Sequence, residues 1–454
     1  MNSTLHGVLV FVQTWWVELL CAVLIVAVVP LIAGYIVLVE RKVMADMQAR
    51  LGPMRVGPHG LLQPIADALK LLIKEDLIPT DDDRFIFWFA PVLSMTVALT
   101  SMGAIAFGPW FQVGRDINIG LLFVVGVSSL GPLGIVLGGW ASNNHYSIIG
   151  ALRSTAQLVS YETTAGFALV SGLLFAGTLK VSAIVEAQRA DHAWYVFLAP
   201  IGFATYLIAS IAETNRAPFD LPEAESELVA GYMTEYSGFR WSLYFLGEYS
   251  NMIVVGSVGV TLFLGGWLRP FPNIQWLAWL DALPALLFTA CGAYCVVRAG
   301  KQPVQGQAFF MWAVAAACFV VGLIFALAAP FAAAPLHFMH AGLYGAFWFL
   351  LKVAAYIYIF MWLRFTLPRF RFDQLMRLGW HILIPLALVN VISVGVALAL
   401  QSGLGMNRWL AMVLTTSGTL VAGMFLLRWN DKHAIAASIS THGNPSVIED
   451  PYAG

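Results

Sequence analysis

Residues 15–39, WWVELLCAVLIVAVVPLIAGYIVLV, form an apolar segment that contains a single charged residue, Glu18. A transmembrane helix needs roughly 20 consecutive apolar residues, and this segment exceeds that length. It is also longer than the apolar core of a signal peptide, and no Lys or Arg precedes it. We therefore expect it to be retained as the first spanning helix.

Similar segments recur along the chain of 454 residues. Hydrophobic residues make up 59% of it, charged residues make up only 11%, and the mean hydropathy is +0.78. A soluble domain carries roughly 25% charged residues, so the apolar excess must face lipid. We predict an all-α, polytopic membrane helix bundle with about eleven spans. The predicted spans are Trp15–Val39, Phe85–Gly108, Ile119–Trp140, Ala156–Thr178, Trp194–Ala212, Trp241–Trp267, Ala282–Val297, Ala308–Ala329, Gly342–Leu363, Ile382–Leu400 and Trp409–Leu427.

The distribution of Lys and Arg predicts how the bundle is oriented. One alternate set of loops holds most of these residues, whereas the other set holds only Arg115, Lys180, Arg189, Arg269 and Arg408. Because Lys and Arg accumulate in cytoplasmic loops, we predict that the N-terminus is outside and the C-terminus inside. The formal net charge of −1 gives no sign of a nucleic-acid partner.

The predicted domain organisation is simple. Residues 1–428 are expected to form a single membrane domain, and residues 429–454 a polar cytoplasmic tail. The span at Ala282–Val297 is short enough for a re-entrant segment. Two spans between Trp267 and Gly342 are nevertheless favoured, because a single one there would put the Arg364–Arg377 cluster outside.

The first inside loop contains an amphipathic pattern at Leu61–Lys74. Apolar residues recur at helical spacing on one face, and the opposite face carries Gln63, Asp67, Lys70 and Lys74. Pro64 would occupy the first turn, where its missing N–H costs little. Two interpretations remain open. The polar face is either solvated along the membrane surface or lines a slot for an amphiphile that enters from the bilayer.

The third inside loop, Glu213–Arg240, is unusually acidic. Asp220 as an N-cap, followed by Pro222 and Glu223, is typical of a helix start. Glu225 and Glu227 are not explained by capping. Carboxylates so close together can share protons, because their repulsion raises some of the pKa values. A solvated acidic face remains the alternative.

Three charged residues lie inside apolar segments. Glu162, Glu248 and Lys352 each cost at least roughly 2.5 kcal/mol at the centre of a membrane, so each marks a candidate functional path. Together with the acidic loop they suggest a chain of titratable groups from the inside face into the bilayer. Alternatively, Lys352 simply neutralises one of the glutamates.

The cysteines give no sign of a redox centre. Cys21, Cys291, Cys295 and Cys318 all lie in apolar segments, and no pair has the spacing of a zinc or iron–sulfur site. We interpret them as small buried hydrophobic residues. Any electron carrier that this protein uses must therefore come from another chain.

Long ordered motifs carry a resemblance to one family. The first loop has ERK at 40–42, QARLGP at 48–53, GP at 57–58 and GLLQPIAD at 60–67. The second has GWASN at 139–143, GALR at 150–153 and SYE at 160–162. ETNRAPFDL at 213–221, EYSN at 248–251 and WLRFTLPRFRFDQLM at 362–376 follow. In these motifs the chain resembles the quinone-chamber membrane component of respiratory complex I, the proton-pumping NADH:quinone oxidoreductase, which is called the H subunit in bacteria.

The resemblance implies a role in a bacterial inner membrane. Members of this family form, with two peripheral-arm subunits, a chamber that admits a quinone from the bilayer. An iron–sulfur cluster in a neighbouring subunit reduces the quinone, flavin and further clusters lie in partner subunits, and antiporter-like membrane subunits pump protons. By resemblance, the residues of the quinone chamber are Arg41, Arg50, Asp67, Lys70, Arg216 and Phe219. The residues of the proton relay are Glu162, Glu213, Glu223, Glu225, Glu227 and Glu248. No cofactor is expected to bind this chain alone, and its substrate is the quinone.

The chain departs from the family pattern in one segment, and two other functions remain alternatives to the quinone-chamber role. The family core is expected at 15–267 and 342–400, with an inserted helix pair at 268–341. The first alternative is the related anchor subunit of a membrane-bound hydrogenase, which has no quinone. The intact blocks at 57–67 and 213–227 favour the quinone enzyme. The second is a secondary transporter, but the repeats and paired broken helices typical of transporters are not evident in the sequence.

Overall fold

The computed structural model describes residues 2–80, 82–109, 117–220, 230–271, 274–301, 305–328 and 337–405, and beyond these 407, 409–410, 412–414 and 416–425. The described part is helical and contains no β-strand. The helices are α1 Asn2–Met47, α2 Gln63–Ile73, α3 Arg84–Met102, α4 Gly120–Ser128, α5 Gly131–Ala141, α6 His145–Ala176, α7 Val181–Ala190, α8 Tyr195–Leu198, α9 Pro200–Glu213, α10 Gly238–Phe263, α11 Leu283–Ala299, α12 Gln305–Ala328, α13 His337–Thr366, α14 Phe372–Arg377 and α15 Ile384–Leu404.

Helical segments of membrane-spanning length dominate the described residues. Nine of these segments are long and apolar enough to cross a membrane. They are Leu19–Met47, Arg84–Met102, Gly120–Ala141, His145–Ala176, Gly238–Phe263, Trp279–Ala299, Gly306–Ala328, Ala341–Thr366 and Phe372–Leu404. Pro200–Glu213 and Met412–Phe425 are shorter apolar helices. The predicted all-α, polytopic membrane bundle is therefore confirmed, whereas the count of about eleven spans and the orientation of the termini stay predictions.

Two structural outcomes concern segments singled out in the sequence. The segment predicted at Ala282–Val297 lies within the helical segment Trp279–Ala299, which joins a 3-10 turn to α11 and with 21 residues is long enough to span. Residues 221–229 and 426–454 lie outside the described residues. They include most of the predicted helix start at Asp220–Glu223 and the whole predicted tail at 429–454.

Local signals explain where several helices begin and end. The Asp83 side chain caps α3 by accepting hydrogen bonds from the Phe85 and Ile86 amides at 3.2 and 3.4 Å. Asn144 caps α6 in the same way through the Tyr146 amide. Gly177 ends α6 with a φ of 64°, a left-handed conformation that costs glycine little.

The predicted amphipathic helix is present as α2. Pro64 lies in its first turn, and the apolar residues Leu69 and Leu72 are exposed, as they would be against lipid. The loop before it folds back tightly, because Lys42 donates to the His59 carbonyl at 2.6 Å. A Cβ at Gly60 (φ +76°) would lie 2.2 Å from the Pro53 carbonyl oxygen, so this turn requires glycine.

The loops predicted to lie inside come together at one end of the bundle. Arg240 at the start of α10 pairs with Asp76 at 2.8 Å, which fixes the segment after α2. Leu77 donates its amide to the Ser237 hydroxyl at 3.0 Å. On the other side, the Phe370 amide donates to the Pro218 carbonyl at 3.1 Å. The segment before α14 is thereby joined to the acidic loop.

Lys352, in the middle of α13, is 9% exposed, and backbone carbonyls accept hydrogen bonds from its ammonium group. Its ammonium donates to the carbonyls of Leu264, Gly266 and Leu268 at 2.6, 2.9 and 2.5 Å, just beyond the end of α10. It also lies 4.4 Å from the centre of the Trp194 ring. A cation at a helix C-terminus satisfies carbonyls that lack intrahelical partners. This pairing accounts for the lysine without the glutamate partner considered from the sequence.

The segment predicted to contain a helix pair holds α11 and α12, which pack against each other and against α13. The Phe288 and Phe325 rings stack with centroids 5.7 Å apart, and Tyr344 donates to the Phe325 carbonyl at 2.8 Å. Whether this pair is an insertion stays a prediction.

The prediction of four buried cysteines was wrong in part. Within the chain Cys295 is buried, while Cys291 is exposed on the outer surface of the pair.

Candidate functional site

A buried cluster of charges is centred on Glu40 of α1. Tyr249 of α10 donates its hydroxyl to Glu40 Oε2 at 2.6 Å, and Arg364 of α13 donates to Oε1. The Arg216 guanidinium lies 3.5 Å from the same carboxylate and donates to the Tyr249 hydroxyl at 3.1 Å. One carboxylate thus connects α1, α10, α13 and the acidic loop.

Arg216 is the most enclosed cation of this cluster, with its side chain 8% exposed. Burial alone would lower its pKa, but Tyr249, Glu40 and Glu248 outweigh that effect and raise it, so the guanidinium stays charged. The guanidinium carbon also lies 3.8 Å from the centre of the Tyr249 ring. Its Nε and second terminal nitrogen have no hydrogen-bond partner among the described residues. These two buried nitrogens carry three N–H groups for which the described residues supply no acceptor.

A second pair extends the cluster along the acidic loop. Arg369 lies 3.2 Å from Asp220 Oδ2, and the Asp220 side chain is 9% exposed. Burial raises the pKa of the Asp220 carboxyl, while the positive charges of Arg369, Arg364 and Arg216 lower it, and the balance is a raised pKa.

These residues surround a cavity of about 200 Å³, here called the charged cavity. Its wall includes Glu40, Arg41, Arg216, Glu248 and Tyr249. Two predicted chamber residues and one predicted relay residue therefore share this space.

A cavity of about 120 Å³, here called the entry cavity, lies between α1, α2 and α10. Gln63 and Asp67 of α2 line it, together with Arg41 of α1 and Trp241 and Phe245 of α10. Gln63 and Asp67 of the polar face therefore border a cavity within the protein, whereas Lys70 of the same face is exposed. That an amphiphile enters this cavity stays a prediction.

Asp67 is held within this wall by two hydrogen bonds. Arg41 donates to its Oδ2 at 2.8 Å, and Gln63 donates to its Oδ1 at 2.8 Å. The Arg41 and Asp67 side chains are 42% and 34% exposed, so the pair lies at a partly open surface. Arg41 borders both the entry cavity and the charged cavity. Its hydrogen bond to Asp67 therefore holds the Arg41 side chain at the junction of the two cavities.

A third cavity, of about 70 Å³, is here called the glutamate cavity because Glu162, Glu213 and Glu248 all line it. Tyr232 donates its hydroxyl to Glu248 Oε1 at 3.0 Å. Gln157 fixes the neighbouring loop, because its amide donates to the Ala212 and Phe219 carbonyls, each at 2.9 Å. Three carboxylates from α6, α9 and α10 therefore meet at one internal space.

Shared residues connect the three cavities into a series. Val37, Arg41 and Phe245 border both the entry cavity and the charged cavity. Asn215 and Glu248 border both the charged cavity and the glutamate cavity. The series therefore runs from the surface of α2, past the arginines, to the intramembrane glutamates.

Not every predicted residue lies on this series. Arg50 and Lys70 are exposed, and Arg50 donates its Nε to Gln48 Oε1 at 2.7 Å. Phe219 is 5% exposed and stacks on Phe370 with centroids 5.4 Å apart, inside the helix core. The predicted relay residues Glu223, Glu225 and Glu227 lie outside the described residues.

Sequence reasoning missed three residues of the cluster. Glu40, Tyr249 and Arg364 occur in the family motifs, but no site role was assigned to them. The signal that could have found Glu40 is its position at the inner end of a long apolar segment. A buried carboxylate there requires partners, and arginines are plentiful on that face.

A further cavity of about 750 Å³, larger than these three, carries none of this chemistry. It is an apolar groove between α1 and α13, lined by residues such as Ile25, Ile36, Phe349 and Ile357. Within the described ranges, moreover, no group of three or more His, Cys, Asp or Glu residues is arranged to hold a metal ion.

Comparison with known proteins identifies the family. The family model described as NADH dehydrogenase matches residues 19–299 and 304–395. A relative from Solibacter usitatus, named as a second H subunit of NADH-quinone oxidoreductase, is 51% identical over 83% of this chain and 95% of its own length. Another, named as a first H subunit of that enzyme in Koribacter versatilis, is 51% identical over 77% of this chain and 84% of its own length. The H subunit of the enzyme from Rickettsia canadensis is 42% identical over 83% of this chain and 93% of its own length. The resemblance drawn from the motifs is confirmed, and the chain belongs to the NADH dehydrogenase family that includes the H subunits of NADH-quinone oxidoreductase.

Proposed function

We propose that this chain is the membrane subunit of a proton-translocating NADH:quinone oxidoreductase that builds the quinone chamber and starts the proton route. The observation that carries the proposal is the series of three cavities connected by shared residues. Relatives of similar length, named for the H subunit of that enzyme, support the same conclusion.

The quinone enters through the entry cavity. Its apolar tail fits a slot beside the exposed apolar residues of α2, and its polar head fits a wall that contains Gln63, Asp67 and Arg41. A lipid-soluble molecule with one polar end is the ligand that such a membrane-surface slot accommodates.

The path continues into the charged cavity, which Arg216 lines and where two of its guanidinium nitrogens have no acceptor among the described residues. A quinone carbonyl oxygen is a suitable acceptor for such donors, and the hydrogen bond strengthens as reduction adds negative charge. Arg41 lies at the junction of the two cavities and guides the head between them.

Glu248 couples the two functions because it borders both the charged cavity and the glutamate cavity. A change of charge on the quinone acts on this carboxylate across the shared wall. Glu162 and Glu213 then lie along the glutamate cavity as the next groups of the route, towards the antiporter-like pump subunits. Glu223, Glu225 and Glu227 are proposed from the sequence to contribute to the inner end of the same relay.

Partner subunits complete the chamber. The entry and charged cavities measure about 120 and 200 Å³, and each is smaller than a typical ligand pocket, which is roughly 300–1,000 Å³. Peripheral-arm subunits are proposed to close the chamber over the inside loops and to supply the electrons. The iron–sulfur clusters and flavin belong to those subunits, and the assembly resides in the bacterial inner membrane.

The alternatives lose support on specific grounds. Relatives named for a quinone oxidoreductase favour that enzyme over the hydrogenase anchor. The same relatives disfavour a secondary transporter.

The test replaces Glu248 by Gln in the complete complex in membrane vesicles. We expect quinone reduction and proton translocation to fall together, because a neutral amide cannot change its charge in response to the quinone. NADH oxidation by an artificial acceptor at the peripheral arm should stay normal, because that step precedes the chamber. Glu186→Gln is the matched control, since Glu186 pairs with Arg189 on an exposed surface. Normal quinone reduction and proton translocation in Glu248→Gln would refute the proposed coupling.

A further inference from the structure

Three of the four cysteines form a cluster between α11 and α12. The Cys318 thiol donates to Cys291 Sγ at 3.9 Å, although the two residues are 27 positions apart. Cys295, one turn after Cys291 on α11, also contacts the Cys291 thiol. Cys21 lies on α1 and is half-buried. No spacing in the sequence indicates this cluster, because two helices must pack to create it.

Small residues hold the two helices close together around the thiols. A Cβ at Gly292 would lie 3.1 Å from the Phe319 ring, and one at Gly322 would lie 3.0 Å from Thr289 Cγ2. Such small-residue contacts allow transmembrane helices to approach closely. The side-chain motion needed to bring two Sγ atoms from 3.9 Å to a bond of about 2.05 Å is therefore local.

The three thiols differ in access. Cys291 is exposed on the surface of the chain, Cys318 is half-buried and Cys295 is buried. Cys291 is also the sulfur to which the Cys318 thiol donates at 3.9 Å. Cys291 is thus the thiol that a membrane-soluble reagent meets first.

We propose that α11 and α12 carry an oxidation site at which Cys291 and Cys318 are converted to an interhelical disulfide by a lipid-soluble hydroperoxide. The Cys291 sulfur attacks the terminal peroxide oxygen, the O–O bond breaks, and an alcohol leaves together with the thiol proton. The resulting sulfenic acid is attacked by the Cys318 sulfur, the S–S bond forms, and water leaves. One hydroperoxide therefore oxidises two thiols and yields one alcohol and one water.

The disulfide would fix a helix pair that already contacts the helix of the charged cluster. Phe325 of α12 packs on Tyr344 of α13 with centroids 5.3 Å apart, and α13 carries Arg364. The oxidation site is independent of the proposed function, because none of its atoms borders the three cavities.

The experiment treats the complete complex in membranes with cumene hydroperoxide, then denatures it and alkylates the remaining thiols. Mass measurement of this chain should show the alkylated thiols falling from four to two. In a second measurement, a protease site is inserted after Lys301, between the two helices. After cleavage, the two halves should stay joined on a non-reducing gel and separate when a reductant is added.

Serine variants identify the pair that reacts. C291S and C318S should each abolish the joined halves, whereas C295S and the distant control C21S should retain them. Four alkylated thiols in the treated wild type would overturn the proposal, and that readout needs no variant to fold. Joined halves in C291S would overturn the assignment of the pair.

Discussion

Replacing Asp67 by Asn removes the carboxylate that holds Arg41 at the junction of the entry and charged cavities. In the wild type, the two Asp67 oxygens accept hydrogen bonds from Arg41 and Gln63, each at 2.8 Å. Asn has a single oxygen, so it can accept from only one of these donors, and its amide nitrogen then faces the other. The pair is partly exposed, with side chains 42% and 34% accessible, so its loss costs about 0.2–1 kcal/mol. If the quinone meets Arg41 there, up to about 1 kcal/mol corresponds to a rise of up to about fivefold in apparent KM.

The assay measures quinone reduction in membranes against the concentration of a short-chain quinone. Asp67→Asn should raise the apparent KM by about 1.4- to fivefold with the complex assembled, and electron transfer to an artificial acceptor at the peripheral arm should stay normal. Glu186→Gln breaks a pair that is 54% and 49% exposed elsewhere on the chain, and it should leave the KM unchanged. If Asp67→Asn has a wild-type KM and a wild-type inhibitor response, the polar face of α2 is solvated along the membrane surface and does not line the quinone path.

Three further changes test other regions of the protein. Lys352→Met leaves three carbonyls beyond α10 without their donor, so the melting temperature or the yield of assembled complex should fall while the ratio of protons to electrons stays unchanged. A lowered ratio in assembled complex would mean that Lys352 belongs to the proton path. Glu225→Gln and Glu227→Gln should each leave assembly intact but lower quinone-linked turnover and pumping, and normal translocation by both single variants and the double variant would contradict this. Deleting residues 270–336 should preserve part of the quinone reductase activity, because none of the residues that line the three cavities lies in that range. Complete loss in a fully assembled complex would show instead that α11 and α12 are required for turnover.

Much of the fold could be predicted because its signals are local in the sequence. Long apolar segments and the 3.6-residue period of α2 identify helices without knowledge of their neighbours. The membrane cost of a carboxylate likewise singled out Glu162 and Glu248, which the structure brings together with Glu213 at one cavity.

The features that escaped prediction depend on contacts between distant segments. Glu40 meets Tyr249 and Arg364, which are 209 and 324 positions away, and no local pattern encodes those partners. The partners of Lys352 escaped prediction for the same reason, because the carbonyls that accept from it lie 84–88 positions earlier in the chain. Phe219, which the motif assigns to the quinone path, stacks on Phe370, 151 positions later in the chain, and its place on that path stays a prediction.

The central claim is that the quinone path runs between α1, α2 and α10 and past Arg41 to the wall that Glu248 shares with the glutamate cavity. A density map of the assembled complex with bound short-chain quinone tests it most directly. We expect quinone density in the entry cavity or the charged cavity, in contact with Arg41. Well-resolved quinone density elsewhere, with both cavities closed off from it, would contradict this path.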